Sequence, residues 1–405
     1  MAAREKAVMV AVATEALPLS QVHLDLDELA ALLDTAGADV VGRLVQKRGA
    51  PDPATYLGRG KVEELRALVQ DTGAGLVAFD GELTPAQVHH LEEQLPEGVK
   101  VLDRAAVILD IFALRARSRE AKLQVELAQL EYLLPRLTRR WQHLSRQAGG
   151  IGTRGVGETQ LEIDRRVIRQ RVAVLKRALG GVEKERWVQR RRRQRVPSVA
   201  LVGYTNAGKS ALFSRLSHVE TLVEDRLFAT LDPLVRRARL GQGLIATVAD
   251  TVGFIRKLPH QLVASFRATL LEAVSADLLV HLVDVSSPRW REQLRVGEEV
   301  LESLGVDPAG CLLVLNKVDR LGGEPRPNVP GRTVLYTSCT TGEGVEELRG
   351  VLAEMLIARG AVSVVRLSVA AGEQLQQALA CPDVVGQSFS AAGVELYLRR
   401  RSRGQ

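Results

Sequence analysis

The sequence predicts an α/β multidomain protein, built mainly from parallel sheets flanked by helices. Three observations carry this. Short apolar runs alternate with stretches of helical spacing through the opening segment. The loop Gly203-Tyr204-Thr205-Asn206-Ala207-Gly208-Lys209-Ser210 stands between an apolar run and another helical stretch. Two long, strongly basic helical stretches separate these regions. Strand–helix alternation implies a parallel sheet, because parallel neighbours need a crossover segment and the helix supplies it. At 405 residues the chain exceeds one typical domain, and 46% hydrophobic content is ample for several cores. The expected division is an N-terminal α/β domain over 1–114, a long basic antiparallel helical hairpin over 115–196, a domain around the glycine-rich loop over 197–360, and a small α+β unit over 361–405.

In the first domain, Val8 to Val12, Ala38 to Val45, Gly75 to Asp80 and Val99 to Leu102 read as strands. Leu26 to Leu33, Lys61 to Val69 and Pro85 to Leu95 have helical spacing, with Thr84 placed to cap the last. Gly58-Arg59-Gly60-Lys61 has no strand directly before it and reads as a helix start, so no second phosphate loop is expected. The Ala7–Ala13 apolar run is followed by Glu15, which suits a first strand better than a signal peptide. Nothing approaches an uninterrupted apolar membrane span. The three cysteines, Cys311, Cys339 and Cys381, are far apart and form no C-x-x-C pair, so reduced thiols are expected, not zinc or disulfides. Together these point to the cytoplasm, free or peripherally membrane-associated.

From Ala105 to about Leu144 the pattern is one long helix, with Leu123, Leu127, Leu130, Leu134 and Leu137 in a stripe and Pro135 as a kink. A second helix over Thr159 to Gln194 turns Leu161, Val167, Ile168, Val172 and Leu175 inward. Two such helices with a short connection should pack antiparallel. The connection, Gly149 to Thr159, holds five glycines with Arg154 among them and Arg146 just before. A mobile, cationic backbone suits entry into folded RNA, where shape and phosphate contacts dominate. The second helix ends in the basic run Arg186 to Arg195, and net charge is +7. That charge favours a polyanionic partner. Aromatic content of 4% argues against base stacking on exposed rings.

Val199–Val202 reads as the strand entering the glycine-rich loop, and Ala211–Leu216 as the helix leaving it. In this setting Gly203, Tyr204, Thr205, Asn206, Ala207 and Gly208 curl main-chain N–H groups around an anion. Lys209 reaches the terminal phosphates, the Ser210 hydroxyl suits Mg²⁺, and the helix N-terminus adds partial positive charge. Further elements follow in order. Phe228-Ala229-Thr230-Leu231-Asp232 offers a threonine hydroxyl to the same Mg²⁺ and an N–H to the γ-phosphate. Strands Val235–Leu240 and Leu244–Val248 turn through Gly241-Gln242-Gly243 and lead to Asp250-Thr251-Val252-Gly253. There Asp250 supports the Mg²⁺ shell and the Gly253 N–H meets the γ-phosphate, which makes the following segment a switch. Strands Leu278–Val283 and Cys311–Leu315 precede Asn316-Lys317-Val318-Asp319. The Asp319 carboxylate matches the paired N–H donors of guanine, which adenine lacks. Strand Thr333–Tyr336 delivers Ser338, Cys339 and Thr340 to the base. Helix Val345–Ile357 closes the domain, and Val362–Leu398 reads as strand, helix, then one or two strands.

These motifs resemble the five signatures of the translation-factor-related GTPases, with a Ras-like P-loop domain. The chain from residue 1 to about 360 resembles the HflX family. The strongest marks are Gly149 to Gly155, Gly157 to Glu162, Asp164-Arg165-Arg166, Tyr56 to Leu65 and Asp250 to Ile255. The resemblance implies a GTPase that binds the large ribosomal subunit and its RNA, splits or rescues stalled ribosomes under stress, and is monomeric off the ribosome. GTP is then the substrate and Mg²⁺ the cofactor, with Ser210 and Thr230 as metal ligands. Lys209, Thr230, Gly253 and Asn206 are expected to act on the reaction. Two departures stand out: Val156 where the family pattern has proline, and Cys339-Thr340 where related GTPases carry Ala-Lys. Phe254 occupies the place of a water-orienting glutamine, so slow intrinsic hydrolysis is expected. Asn206 offers a route to acceleration by K⁺, as in related enzymes with asparagine there. Two other classes compete with this reading: an ATP-dependent RNA-remodelling enzyme and a non-catalytic GTP-gated RNA-binding module.

Overall fold

A computed structural model describes residues 4–137, 160–193, 196–218, 227–256, 274–368, 372–390 and 393–400. The chain divides into two compact units, the first extending to Gly181 and the second from Val182 onward.

The first unit opens with a four-stranded sheet of order β2-β1-β3-β4. Its strands are β1 (Glu5–Ala13), β2 (Ala38–Lys47), β3 (Leu76–Phe79) and β4 (Lys100–Asp103), and every pairing is parallel. Helices α1 (Leu19–Ala36), α2 (Arg59–Thr72) and α3 (Pro85–Gln94) make the crossovers. Burial of Val8, Val10, Val77, Phe79 and Leu65 gives the sheet its core, each such side chain contributing about 1.5–3 kcal/mol. Thr84 caps α3 in a full capping box with Gln87, as the sequence suggests. Gly58 stands at the N-terminus of α2, so the Gly58–Lys61 segment is a helix start.

The long helix expected from Ala105 is two helices, α4 (Arg104–Arg115) and α5 (Arg119–Leu133). The break at Ala116–Ser118 has a local cause. Ala116 is extended at ψ 111°, and the Ser118 side chain accepts the Ala121 N–H, starting a new helix. The face of α5 that packs deepest carries Ala121, Val125, Ala128 and Tyr132, while of the leucine stripe only Leu127 is fully buried. Pro135 sits in a short 3₁₀ turn, Leu134–Arg136, that ends the helix. Asp103, at the end of β4, accepts from the Tyr132 hydroxyl at 2.8 Å and from Arg136 at 3.2 Å, which ties α5 to the sheet. Beside it, buried Arg104 pairs with Asp80 at 2.7 Å and with Glu28. The second long helix, α6 (Gln160–Arg193), is joined to α5 by Arg171–Glu126 at 2.6 Å and Lys176–Glu131 at 2.8 Å. Leu175 is buried and Ile168 and Val172 half-buried, but Val167 faces solvent, contrary to the inward reading. The expected glycine-rich tip, Gly149 to Thr159, lies outside the described residues.

The second unit is organised on a six-stranded sheet of order β10-β9-β8-β5-β7-β6. These are β5 (Ser198–Gly203), β6 (Leu234–Arg239), β7 (Ile245–Asp250), β8 (Leu278–Asp284), β9 (Leu312–Asn316) and β10 (Val334–Thr337). All neighbours are parallel except β6, which returns antiparallel on β7 through a tip at Gly241–Gly243. The strand β5 is central, with β8 on one side and β7 on the other, so its carboxyl end is the topological switch point where such sheets bind ligands. The flanking helices are α7 (Lys209–Ser217), α8 (Trp290–Ser303) and α9 (Val345–Ala358). A three-stranded antiparallel sheet, β11 (Val362–Leu367), β13 (Gly393–Arg399) and β12 (Val384–Ser390), follows with α10 (Gly372–Leu379). One core cluster contains Leu212 and Phe213 of α7, Leu348 and Leu352 of α9, and Val362, Val385 and Tyr397 of this last sheet. Among the described residues no helix is long and apolar enough to cross a membrane.

Candidate functional site

The apolar strand β5 runs into the glycine-rich loop, and α7 begins at Lys209 directly after it. Asn206 takes the left-handed conformation at φ 60°, which asparagine accepts better than most residues. Gly208 does so at φ 94°, and a Cβ there would lie 2.2 Å from Asn316 Nδ2, so only glycine fits this turn. Tyr204 and Ala207 are buried, as is Thr205, whose hydroxyl has no hydrogen-bond partner among the described residues. Lys209 curls back to donate to the carbonyls of Gly203 at 3.1 Å and Tyr204 at 2.7 Å. Burial pushes its ammonium down to about 8, opposed by the nearby Asp250 carboxylate. A desolvated cation at the mouth of an N–H cradle is a strong site for a polyphosphate.

Ser210, Thr230 and Asp250 come from three separate segments and meet. Ser210 Oγ donates to Asp250 Oδ2 at 2.6 Å, Thr230 Oγ1 donates to the same oxygen at 2.9 Å, and the two hydroxyls are 2.9 Å apart. Asp250 is fully buried, and its Oδ1 has no hydrogen-bond partner among the described residues. Burial raises the Asp250 pKa, against the bonds from Ser210 and Thr230 and the charge of Lys209. Two hydroxyls and a carboxylate with an unused oxygen form a hard, all-oxygen donor set. They fit Mg²⁺, which keeps waters and takes few protein ligands alongside substrate phosphates.

Beyond Asp250, Thr251 donates to the Leu201 carbonyl at 2.7 Å, and Val252 is buried. Gly253 lies so close that a Cβ would come within 2.7 Å of Thr205 Cα and 3.0 Å of Lys209 Nζ. Phe254 is 2% exposed; its N–H bonds Gly203 O at 2.9 Å and its carbonyl accepts from Thr205 N–H at 2.7 Å. This aromatic is thus a wall of the phosphate loop. Phe228, Ala229, Thr205, Asn206, Lys209, Ser210, Thr230 and Gly253 line one cleft. Leu231 is buried beside it and Asp232 half-buried.

The residues expected to read the base gather at the carboxyl ends of β9 and β10. Asn316 is buried: Nδ2 donates to Ala207 O at 2.9 Å, and Oδ1 accepts from the Thr337 hydroxyl at 3.1 Å and the Cys339 thiol at 3.5 Å. Lys317 is held at φ 66° with Nζ 2.7 Å from Asp284 Oδ2. Val318 is buried and Asp319 exposed, free to face a ligand from the following 3₁₀ turn. Ser338 is buried and Thr340 exposed. Two participants escape the sequence reading, Asp284 and Arg215. Arg215 donates to the carbonyls of Cys339 and Thr340. Asp284 ends a strand before a Ser-Ser turn, a signal of polar termination without a named partner.

Three family models match the chain: a GTP-binding GTPase N-terminal region over 23–113, a GTP-binding GTPase middle region over 115–193, and a 50S ribosome-binding GTPase over 198–317. A GTPase HflX from Caldanaerobacter subterraneus subsp. tengcongensis is 48% identical over 347 residues, covering 85% of this chain and 79% of that one. The GTPase HflX of Escherichia coli K12 is 46% identical over 351 residues, covering 85% and 82%. A crystal structure of a GTP-binding protein from Sulfolobus solfataricus in complex with GDP aligns over 87% of this chain and 99% of its own, at 23% identity and a TM-score of 0.45. With the Asp250–Gly253 segment set against the phosphate loop and Asn316 bonded to that loop at Ala207, and with relatives this similar across most of its length, the chain belongs to the HflX family of GTPases.

Proposed function

We propose that the protein is a Mg²⁺-dependent GTPase that engages the large ribosomal subunit and its RNA, and splits or rescues stalled ribosomes in the cytoplasm. Off the ribosome it acts as a monomer. The observation that carries the reading is the meeting of Ser210, Thr230 and Asp250 beside Lys209 and Gly253, with Asn316 bonded directly to the phosphate loop at Ala207. Phosphate and base sites of one nucleotide are thereby joined by a single hydrogen bond. The match of residues 198–317 to a 50S ribosome-binding GTPase model supports the partner, as does the basic run at the end of α6.

In this reading the N–H groups of Gly203 through Gly208 enclose the β-phosphate, and Lys209 leaves its carbonyl partners to pair with the β- and γ-oxygens. Ser210 and Thr230 would hold Mg²⁺, which would neutralise charge on the phosphates, while Asp250 keeps both hydroxyls aimed. The Gly253 N–H bonds the γ-phosphate. Asp319 reads the guanine N1–H and 2-amino group, the Cys339 N–H serves the 6-oxo group, and the Lys317 stem covers the ring. Phe254 is buried and offers no side-chain hydrogen bond, so it does not orient the attacking water. Turnover therefore depends on a further group, and the reading assigns two: K⁺ held beside Asn206, and the large ribosomal subunit.

The test is GTP and ATP turnover with and without large subunits, in K⁺ and in Na⁺, together with co-sedimentation using a non-hydrolysable GTP analogue. GTP turnover that rises with subunits and with K⁺ supports the reading. ATP turnover at equal rate favours an RNA-remodelling ATPase. Tight GTP binding with no turnover under any condition favours a non-catalytic gated module. Equal rates in K⁺ and Na⁺ remove the role given to Asn206.

A further inference from the structure

The loop that follows β10 is strapped down from behind by the phosphate-loop helix. Arg215 lies on α7, and its guanidinium spans two successive carbonyls: Nε donates to Cys339 O at 2.9 Å and Nη2 to Thr340 O at 2.8 Å. A planar, charged fork on two neighbouring acceptors fixes both the position and the tilt of the segment. Arg215 is itself held, since its own carbonyl accepts from Arg349 Nη2 at 2.6 Å and Arg349 is 6% exposed.

The loop's donors divide unevenly. Ser338 N–H bonds Glu343 O at 3.0 Å, Gly342 N–H bonds Ser338 O at 2.9 Å, and Thr341 N–H bonds the Ser338 hydroxyl at 3.1 Å. Among the described residues the Cys339 N–H has no acceptor. Its thiol is turned to Asn316 Oδ1. The segment therefore has two successive carbonyls engaged by Arg215, while the Cys339 and Thr340 N–H groups have no acceptor among the described residues.

We propose that Arg215 is a positioning residue for purine recognition: by chelating the Cys339 and Thr340 carbonyls it holds the Cys339 N–H where a 6-oxo purine accepts from it. The exposed Thr340 is too short to add a contact of its own over the base, so the arginine strap carries the positioning. The inference rests on the guanine reading of Asn316–Asp319 given above. It also predicts a division of labour. Asp319 discriminates the 2-amino group, and the Arg215-held N–H discriminates oxygen from an amino group at position 6, because an amino group there leaves the N–H without an acceptor.

The experiment uses the full chain with a fluorescent GDP analogue in stopped flow, competed by GDP, IDP and ADP, for the unaltered protein, Arg215→Ala and Arg215→Lys. Arg215→Ala is expected to release the analogue about tenfold faster, the size set by charged hydrogen bonds at a solvent-accessible site. The GDP-over-ADP preference narrows by a similar factor, while GDP-over-IDP stays unchanged. Arg215→Lys falls between, since an ammonium cannot span both carbonyls with fixed geometry. The inference is overturned by a release rate within twofold of the original. It is equally overturned by a uniform loss for GDP, IDP and ADP, which marks a general strut. Should Arg215→Ala misfold, Arg215→Lys decides by the same ratios. If the unaltered protein fails to bind guanine nucleotide at all, it is the guanine reading that falls, a separate outcome.

Discussion

His281 makes the second unit acid-sensitive in a way that one substitution removes. It sits in the middle of β8, registered between Val202 of β5 and Leu313 of β9, and is 0% exposed. Neither ring nitrogen has a hydrogen-bond partner among the described residues. The ring fits because α8 carries Gly297 opposite: a Cβ there would lie 2.3 Å from Nε2. Burial, with the charges of Arg332 and Lys209, pushes its pKa down to about 3. In the unfolded chain the imidazole titrates near 6.5. Between those values the unfolded state binds the extra proton, so stability rises with pH across the window and falls as pH drops below 6.5. The slope is about 1.4 kcal/mol per pH unit. Two units down, at pH 4.5, the loss from this one residue is about 2.7 kcal/mol. Urea unfolding of the nucleotide-free chain, followed by circular dichroism from pH 7.5 to 4.5, measures it. The His281→Leu protein should lose about 2.7 kcal/mol less than the original over that range. Parallel curves for the two proteins would refute the claim that the fold holds this ring neutral. The contact has its own signature. Gly297→Ala alone should cost about 1–3 kcal/mol by overpacking, and His281→Val should recover most of that in the double variant.

Gly253→Ala pushes a methyl against Thr205 Cα and Lys209 Nζ, and should lower kcat about 100-fold through displaced phosphate contacts, read by single-turnover GTP hydrolysis. Asp250→Asn removes the carboxylate that aligns Ser210 and Thr230, and should weaken Mg²⁺ about 10- to 100-fold, read as the Mg²⁺ concentration for half-maximal turnover. Arg349→Met strips donors from the carbonyls of Arg215 and Leu216 at the end of α7 and of Arg239 at the end of β6, and should cost about 2–4 kcal/mol, read by denaturant unfolding.

The sequence displays some of this more openly than the rest, for physical reasons. β5 and β9 are buried on both faces and read as unbroken apolar runs, and the segments they deliver, Gly203–Ser210 and Asn316–Asp319, carry their chemistry in fixed spacing. The Thr84–Gln87 capping box is equally visible. The division between α4 and α5 is hidden because both helices keep apolar spacing across it. Its mark is Ser118 followed by Arg119-Glu120-Ala121, a cap that hydropathy alone does not weigh. Val167 fails for a related reason, since several apolar residues of α6 compete for a narrow buried line and, among the described residues of that helix, only Leu175 is deep. Arg349 looks like the polar side of an amphipathic helix, yet it is buried against the end of α7. Its role depends on carbonyls distant in sequence, and no local pattern encodes them. The same holds for Arg215 and for Gly297, whose reason is a histidine on another element.

The last forty-odd residues, expected as a small appended unit, share a core with the nucleotide-binding fold, and the join shows how they are fastened to it. The tip of the β6–β7 hairpin meets β12 main chain to main chain. A Cβ on Gly243 would come within 2.5 Å of Gln387 O, and one on Gly386 within 2.6 Å of Gly243 O. Leu244 and Gly386 form a bridge, and the Tyr397 hydroxyl donates to Gln242 Oε1 at 3.2 Å. Contacts this close require glycine at both 243 and 386, and they leave the hairpin no room to slide. At its other end the same hairpin sets Leu234 opposite Asp250, just past Thr230 in one strand and just before Gly253 in the other. The spacing of the two segments proposed to face the γ-phosphate is therefore fixed by a strand pair whose far end is clamped to β12. A register slip at the tip would turn Asp250 from the cleft to the opposite face of the sheet, so the appended sheet protects the metal-binding geometry from the end of the hairpin farthest from it.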